Sequence, residues 1–349
     1  MFRKRRRRRP TVVTNRVPLT RFIGPLTTVL ALVFLLGLGL TKGIDFTRLD
    51  RDVTATDVGG SARSGKVGPG LKKPGDRIRV AGFRVSGFDE KKFSDKKLLN
   101  TLAQLTQQFD VLAIQDIAQS GVQPLDRMVQ AINAEGARYA VVVSPPQGRG
   151  SFQRQYGFVW DTSRVQLVPQ TTYLVNDDHD RMRLPPMVAT FQAVLPTETG
   201  RDGFSFTLIN VAIDPSSLQQ SERENELSVL NDVLLSVREF EYSRQGQDDV
   251  IVVGDLRVDW QQRAQLNRLR NFISVVGASQ PGENGDFQHI LVDRSTTSEF
   301  TSAAGYYDLV ADLGLTEAQA LQISDQRRLA WAEFQVFEQP AHLGIASRP

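Results

Sequence analysis

From Arg77 onward, short apolar or alternating runs rich in Val and Ile are separated by stretches with helical spacing. The runs predict strands over Arg77–Phe83, Val111–Gln115, Tyr139–Ser144, Tyr156–Trp160, Met187–Leu195, Phe204–Ile213, Val250–Gly254, His289–Val292 and Trp331–Phe337. Leu98, Leu99, Leu102, Leu105 and Phe109 recur with helical period after Ser94, which reads as a cap. Leu227, Leu230, Leu234 and Val237 mark a longer helix, and Gln261–Val276 reads as a third. Strands this numerous, with helices between them, suit an α+β fold of two stacked sheets covered by helices better than one wound sheet.

A different pattern occupies the start of the chain. Phe22 to Leu40 is 19 residues without a charge, flanked by Arg21 and Lys42. As a helix at about 1.5 Å per residue it would span roughly the hydrocarbon core of a bilayer. No small-x-small cleavage site follows Leu40, so the run reads as an uncleaved single transmembrane helix. Arg3, Lys4, the five arginines from Arg5 to Arg9, Arg16 and Arg21 precede it with no acid among them. The positive-inside bias then predicts a cytoplasmic N-terminus, lipid contact through 22–40 and the basic tail, and a large extracytoplasmic domain. The predicted organisation is a basic tail (1–21), the transmembrane helix (22–40), a Gly- and Pro-punctuated linker (41–76), one folded domain (77–338) and a C-terminal tail (339–349).

Charge alters one inference. The whole chain carries 42 basic and 39 acidic residues, but beyond residue 21 the balance is 33 basic to 39 acidic. The folded part therefore lacks the basic surplus usual in a nucleic-acid-binding domain, and nucleic acid is disfavoured as a partner. With no cysteine in the chain, a disulfide scaffold, a zinc-thiolate centre and a cysteine nucleophile are excluded.

Several strands end alike, with polar residues where the chain leaves the sheet: IRVAGFR (78–84), VLAIQD (111–116), QRQYGFVWD (153–161), FTLINVAIDP (206–215), VIVVGDLRVD (250–259), FQHILVD (287–293) and ISDQ (323–326). In this order and spacing the set resembles the endonuclease/exonuclease/phosphatase superfamily, whose fold is that of pancreatic deoxyribonuclease. VIVVGDLRVD is similar to the family's G-D-F-N-x-D, and ISDQ to its S-D-H. The resemblance implies a four-layer α/β/β/α sandwich of two mainly antiparallel sheets. In active members it also implies a Mg²⁺-assisted attack of water on a phosphodiester.

Carried over position by position, the resemblance implies a degenerate site. Arg84 stands where the family has Asn, Asp116 where it has a metal-binding Glu, and Arg154 where it has an acid, two residues before a retained Tyr156. Ala212 and Gln326 replace the two histidines, Arg257 an Asn and Gln288 an acid, while Asp255 and Asp325 are kept. Neither Ala212 nor the amide of Gln326 can take a proton from water. Of the histidines present, His179 lies in a polar stretch, His342 in the C-terminal tail, and His289 should face away from Gln288 along its strand.

Asp116, Asp255 and Asp325 remain as candidate metal ligands, but Arg84, Arg154 and Arg257 bring three fixed positive charges to the same rim. The expectation is that Arg84 and Arg257 pair with these carboxylates in place of a cation, so that no cofactor is needed. The sequence thus predicts a membrane-anchored pseudo-phosphodiesterase that binds a protein partner or a phosphorylated ligand. The alternative is a divergent Mg²⁺- or Mn²⁺-dependent phosphodiesterase or nuclease using the three aspartates.

Overall fold

The computed structural model describes residues 73–88, 94–118, 122–148, 150–213, 226–258, 266, 269, 271–276 and 287–339. All belong to one compact unit, Ser61–Pro349. The expected transmembrane segment and basic tail lie outside the described residues. Among the described residues no helix is long and apolar enough to cross a membrane.

Two mixed sheets form the centre. In the first, β12 (Phe300–Asp308), β13 (Arg328–Gln335), β1 (Arg77–Phe88), β2 (Val111–Ala118), β4 (Arg154–Asp161) and β3 (Tyr139–Val143) lie side by side in that order. In the second the order is β10 (Phe272–Ser274), β11 (Gln288–Asp293), β9 (Val250–Asp255), β8 (Ser205–Ala212), β7 (Met187–Ala193) and β5 (Val165–Leu167), with β6 (Tyr173–Leu174) also pairing β7. Among the described residues only β1–β2 and β8–β9 pair in parallel.

Three apolar layers hold these sheets between helices. Strand residues of both sheets, including Val80, Phe158, Phe191, Phe206, Val253 and Phe334, pack face to face. The outer face of the first sheet is covered by α1 (Lys96–Thr106), α2 (Val122–Ala134) and α4 (Glu317–Ile323), which bury Leu102, Met128 and Ile323 against Phe83 and Leu112. The outer face of the second is covered by α3 (Glu226–Gln245), which buries Leu227, Leu230 and Leu234 against Ile209 and Val252. The sheets approach closely at Gly82, where an added Cβ would sit 2.6 Å from Val253 Cγ1.

Every expected strand is present within a few residues of its expected ends. Two helical expectations need correction. Asp95, not Ser94, caps α1: its Oδ1 accepts hydrogen bonds from the Lys97 and Leu98 amides. In the expected third helix, residues 272–274 instead form β10, paired antiparallel to β11, because burying Phe272 and exposing Ile273 follows a period of two. Lys73, in the segment whose composition reads as a tether, pairs with Asp110 at 3.0 Å and Asp161 at 2.6 Å and donates to Tyr139 Oη at 2.9 Å.

Candidate functional site: an arginine-centred carboxylate cluster

Sheet topology brings the candidate residues to one end of the sandwich. β1 and β2 run parallel and deliver Arg84 and Asp116; β8 and β9 run parallel and deliver Ala212 and Asp255. Their antiparallel neighbours begin where those strands finish, so Arg154 starts β4 beside Ala118, and Gln288 starts β11 opposite Asp255. Asp325 and Gln326 lie in the turn that leads through Arg327 into β13, the antiparallel partner of β1.

Local backbone bends aim these side chains. The β2–β4 register shifts between Ile114 and Ile117, and within that bulge Asp116 adopts φ 63°. The left-handed region is tolerable for Asp, and the turn sends Gln115 between the sheets and Asp116 to the rim. Arg257 at φ 50° and Arg327 at φ 37° make comparable turns beside Asp255 and Gln326. Ser324 secures the last loop, donating to the Arg84 carbonyl at 2.7 Å and accepting from the Gln326 amide.

Arg84 lies at the centre. Its Nε and Nη2 donate to Asp116 Oδ2 at 3.2 and 3.0 Å, and its Nη1 lies 3.3 Å from Asp255 Oδ2 and 3.1 Å from Asp325 Oδ2. Burial acts to lower the pKa of the guanidinium, but Asp255, Asp116 and Asp325 together raise it. Arg154 Nε binds the other oxygen of Asp116 at 2.6 Å. Asp255 is the most enclosed of the three acids, its side chain only 2% exposed. Its Oδ2 also faces Arg257 Nε at 3.3 Å and accepts from Gln326 Nε2 at 2.8 Å, while Oδ1 accepts from the Arg257 amide. Burial pushes this carboxyl up to about 8, against the pull of Arg84 and the Gln326 hydrogen bond.

Tyr156 and Gln288 lie beneath the cluster rather than on it. Tyr156 is fully buried; its hydroxyl accepts from the Ala212 amide and donates to the Leu184 carbonyl, both at 3.1 Å. Burial drives its pKa far above the phenol range, so it is no proton carrier near neutrality. Gln288 Nε2 donates to Gln115 Oε1, Gln115 Nε2 to Asn210 Oδ1, and Asn210 Nδ2 to the Ile114 and Gly157 carbonyls. This amide relay crosses between the sheets three times. His289 is a structural residue, facing Ser274 Oγ at 3.1 Å and the Val258 carbonyl at 2.8 Å; His179 is exposed; His342 lies outside the described residues.

A shallow cavity of about 60 Å³, room for a few waters or a small anion, opens beside the cluster. Its wall adds Phe152, Arg183 and Glu226 to the residues expected from sequence. Arg154 and Arg183 stack on the Phe152 ring, guanidinium carbons 4.6 and 3.6 Å from its centroid. Glu226, fully buried in the first turn of α3, accepts from the Arg183 amide at 2.6 Å. These three sit outside strand ends, so the strand-end pattern could not reveal them.

The donor set does not fit Mg²⁺. Each of the three carboxylates that would be ligands already faces a guanidinium nitrogen at 3.0 to 3.3 Å. A dication about 4 Å from one guanidinium would be repelled by roughly 8 kcal/mol at an effective dielectric near 20.

No protein-family model matches the chain. Its sequence is 24% identical over 262 residues to deoxyribonuclease-1-like 1 of Mus musculus, covering 72% of this chain and 78% of that protein. It is equally 24% identical to deoxyribonuclease-1 of Bos taurus over 275 residues, covering 73% and 92%. A crystal structure of an endonuclease/exonuclease/phosphatase protein from Bacteroides vulgatus superposes with a TM-score of 0.50 at 11% identity, covering 74% of this chain and 99% of that one. Two mixed sheets between helices, with the polar cluster at their shared end, define a deoxyribonuclease-I-like sandwich. In sequence the chain is similar to deoxyribonuclease-1-like proteins, and in fold to the endonuclease/exonuclease/phosphatase superfamily.

Proposed function

We propose that this protein is a non-catalytic superfamily member, a pseudo-phosphodiesterase acting as a binding module, anchored through residues 22–40 with its folded domain on the extracytoplasmic side. The observation that carries the reading is the position of Arg84, whose one guanidinium engages Asp116, Asp255 and Asp325 at once. It supplies the positive charge that these carboxylates require, so the cluster closes without metal. Ala212 and Gln326 offer no proton acceptor to an attacking water, and Tyr156 is committed to two backbone groups. The exposed guanidinium of Arg183 beside Phe152 gives the cavity an edge suited to a partner's carboxylate or phosphate.

The test is a calorimetric titration of Mg²⁺ and Mn²⁺ into the full-length protein, with hydrolysis of bis-p-nitrophenyl phosphate and of DNA followed alongside. The expected result is no saturable heat that depends on Asp255 and no metal-dependent turnover. Turnover abolished by Asp255→Ala would establish the other reading, a divergent metal-dependent phosphodiesterase. Protection of the domain, rather than the tail, from protease added to the cytoplasmic face would check the orientation.

A further inference from the structure

A second acidic cluster lies at the opposite end of the sandwich. Asp249 immediately precedes β9, whereas Asp255 ends it, a separation of roughly 20 Å along a strand. Asp249, Glu299 and Glu338 each direct a carboxylate oxygen to one place, and the three oxygens lie within 4.8 Å of one another. Glu299 precedes β12 and Glu338 follows β13, so three separate strand ends build the cluster.

Its polar groups are incompletely satisfied. Asp249 Oδ1 and Glu299 Oε2 are buried without a hydrogen-bond partner, on residues only 3% and 1% exposed. Thr297 Oγ1 is equally buried and makes no hydrogen bond of ordinary geometry, although it lies close enough to Asp249 to ease that carboxyl's ionisation. Two other oxygens of the cluster have partners: Glu299 Oε1 accepts from the Gln339 amide at 2.7 Å and Glu338 Oε2 from the Ser205 amide at 3.0 Å. Charge is uncompensated as well. Burial and then Glu299 push Asp249 up to about 9, and burial likewise raises Glu299 and Glu338, with Asp248 and Asp202 adding negative potential. None of the main influences on these three groups is a cation. The nearby Arg201 stacks on Phe337 instead.

Buried carboxylates gathered around orphaned oxygens call for a compensating charge. Hard oxygen donors select a hard cation. Ca²⁺ takes about six to eight oxygen ligands at about 2.4 Å in a flexible geometry and accepts an irregular buried carboxylate set, whereas Mg²⁺ demands a strict octahedron and keeps several of its waters. We infer that Asp249, Glu299 and Glu338, with the Thr297 hydroxyl, form a structural Ca²⁺ site that ties together the ends of β9, β12 and β13.

Equilibrium dialysis of the full-length protein against Ca²⁺, paired with thermal melting in Ca²⁺, in Mg²⁺ and in chelator, tests this. The expected result is one Ca²⁺ per chain, a melting temperature raised by Ca²⁺ more than by Mg²⁺, and affinity weakened by about tenfold or more in Glu299→Gln and Glu338→Gln. Glu338 is only half-buried, so its variant carries the test if Glu299→Gln does not fold. Asp325→Asn, in the arginine cluster, should leave the Ca²⁺ stoichiometry unchanged; a loss there would put the ion at the other site and overturn the assignment. Absence of saturable binding into the millimolar range would overturn it too, as would Ca²⁺-independent melting with Asp249→Asn stabilising at neutral pH, the mark of carboxyls that merely share protons.

Discussion

The side-chain amide of Gln326 donates to Asp255 Oδ2 at 2.8 Å, at a position where the family resemblance implies an imidazole. That hydrogen bond contacts the aspartate with a group that does not titrate near neutrality. Together with Arg84 and Arg257 it leaves Asp255 surrounded by donors.

Arg84 is expected to be the least replaceable residue of the cluster. Arg84→Met should destabilise the protein by about 3 kcal/mol, since it removes the one guanidinium that Asp116, Asp255 and Asp325 share. Combined with Asp255→Asn the loss should be smaller than the sum of the two single losses. A double-mutant cycle from urea unfolding measures that coupling.

Asp255 gives the stability a pH dependence of definite sign. Its folded-state value of about 8 lies above its ordinary value of 3.8, so the folded protein holds this proton more tightly than the unfolded chain. The contribution is complete below about pH 4 and is lost as pH rises toward 8. Urea midpoints across that range should therefore fall more steeply in the wild type than in Asp255→Asn; parallel profiles would contradict the assignment.

At the other end of the chain's described part, Lys73 and Asp161 predict the reverse trend. Burial raises the Asp161 carboxyl, but the hydrogen bonds from Lys73 and Ser163 outweigh it and hold the group below its ordinary range. That contribution is present above about pH 4 and disappears as the group is protonated. Lys73→Met should cost about 2 kcal/mol at pH 7, less than a fully orphaned pair because Arg164 still binds Asp110 at 2.6 Å. The deficit should shrink when unfolding is measured near pH 3.

Asn210 is expected to be critical without touching the cavity. Asn210→Ala leaves Gln115 Nε2 and the Ile114 and Gly157 carbonyls short of partners between the sheets. A loss of about 3 kcal/mol is expected, read by chemical denaturation. Its effect on any Mg²⁺ titration should be nil.

The elements most legible in the sequence were those with one periodicity and deep burial, such as β9, where six consecutive residues are buried. β12 leaves no clear strand signal because Phe300–Asp308 is an edge strand of mostly half-exposed residues, with its register broken between Phe300 and Ala304. α2 carries Leu125, Met128, Val129 and Ile132 on one buried face, a helical spacing that was open to reading. The arginine–carboxylate cluster was legible because its members come from strand ends in a recognisable order. Arg183, Phe152 and Glu226 were not, since only the fold brings their segments to the same wall. The distant carboxylate cluster had no local signature either: Asp249, Glu299 and Glu338 are spread over three connections, and each alone reads as a solvated acid.

The left-handed turns at Asp116, Arg257 and Arg327 set the backbone of the cluster. They fix the path of the backbone beside Asp116, Asp255 and Gln326, three of the positions from which the cluster is built. A designer wishing to install a reaction here would therefore inherit the scaffold ready positioned, and the distance to a new activity would be counted in side-chain exchanges rather than in rebuilt loops.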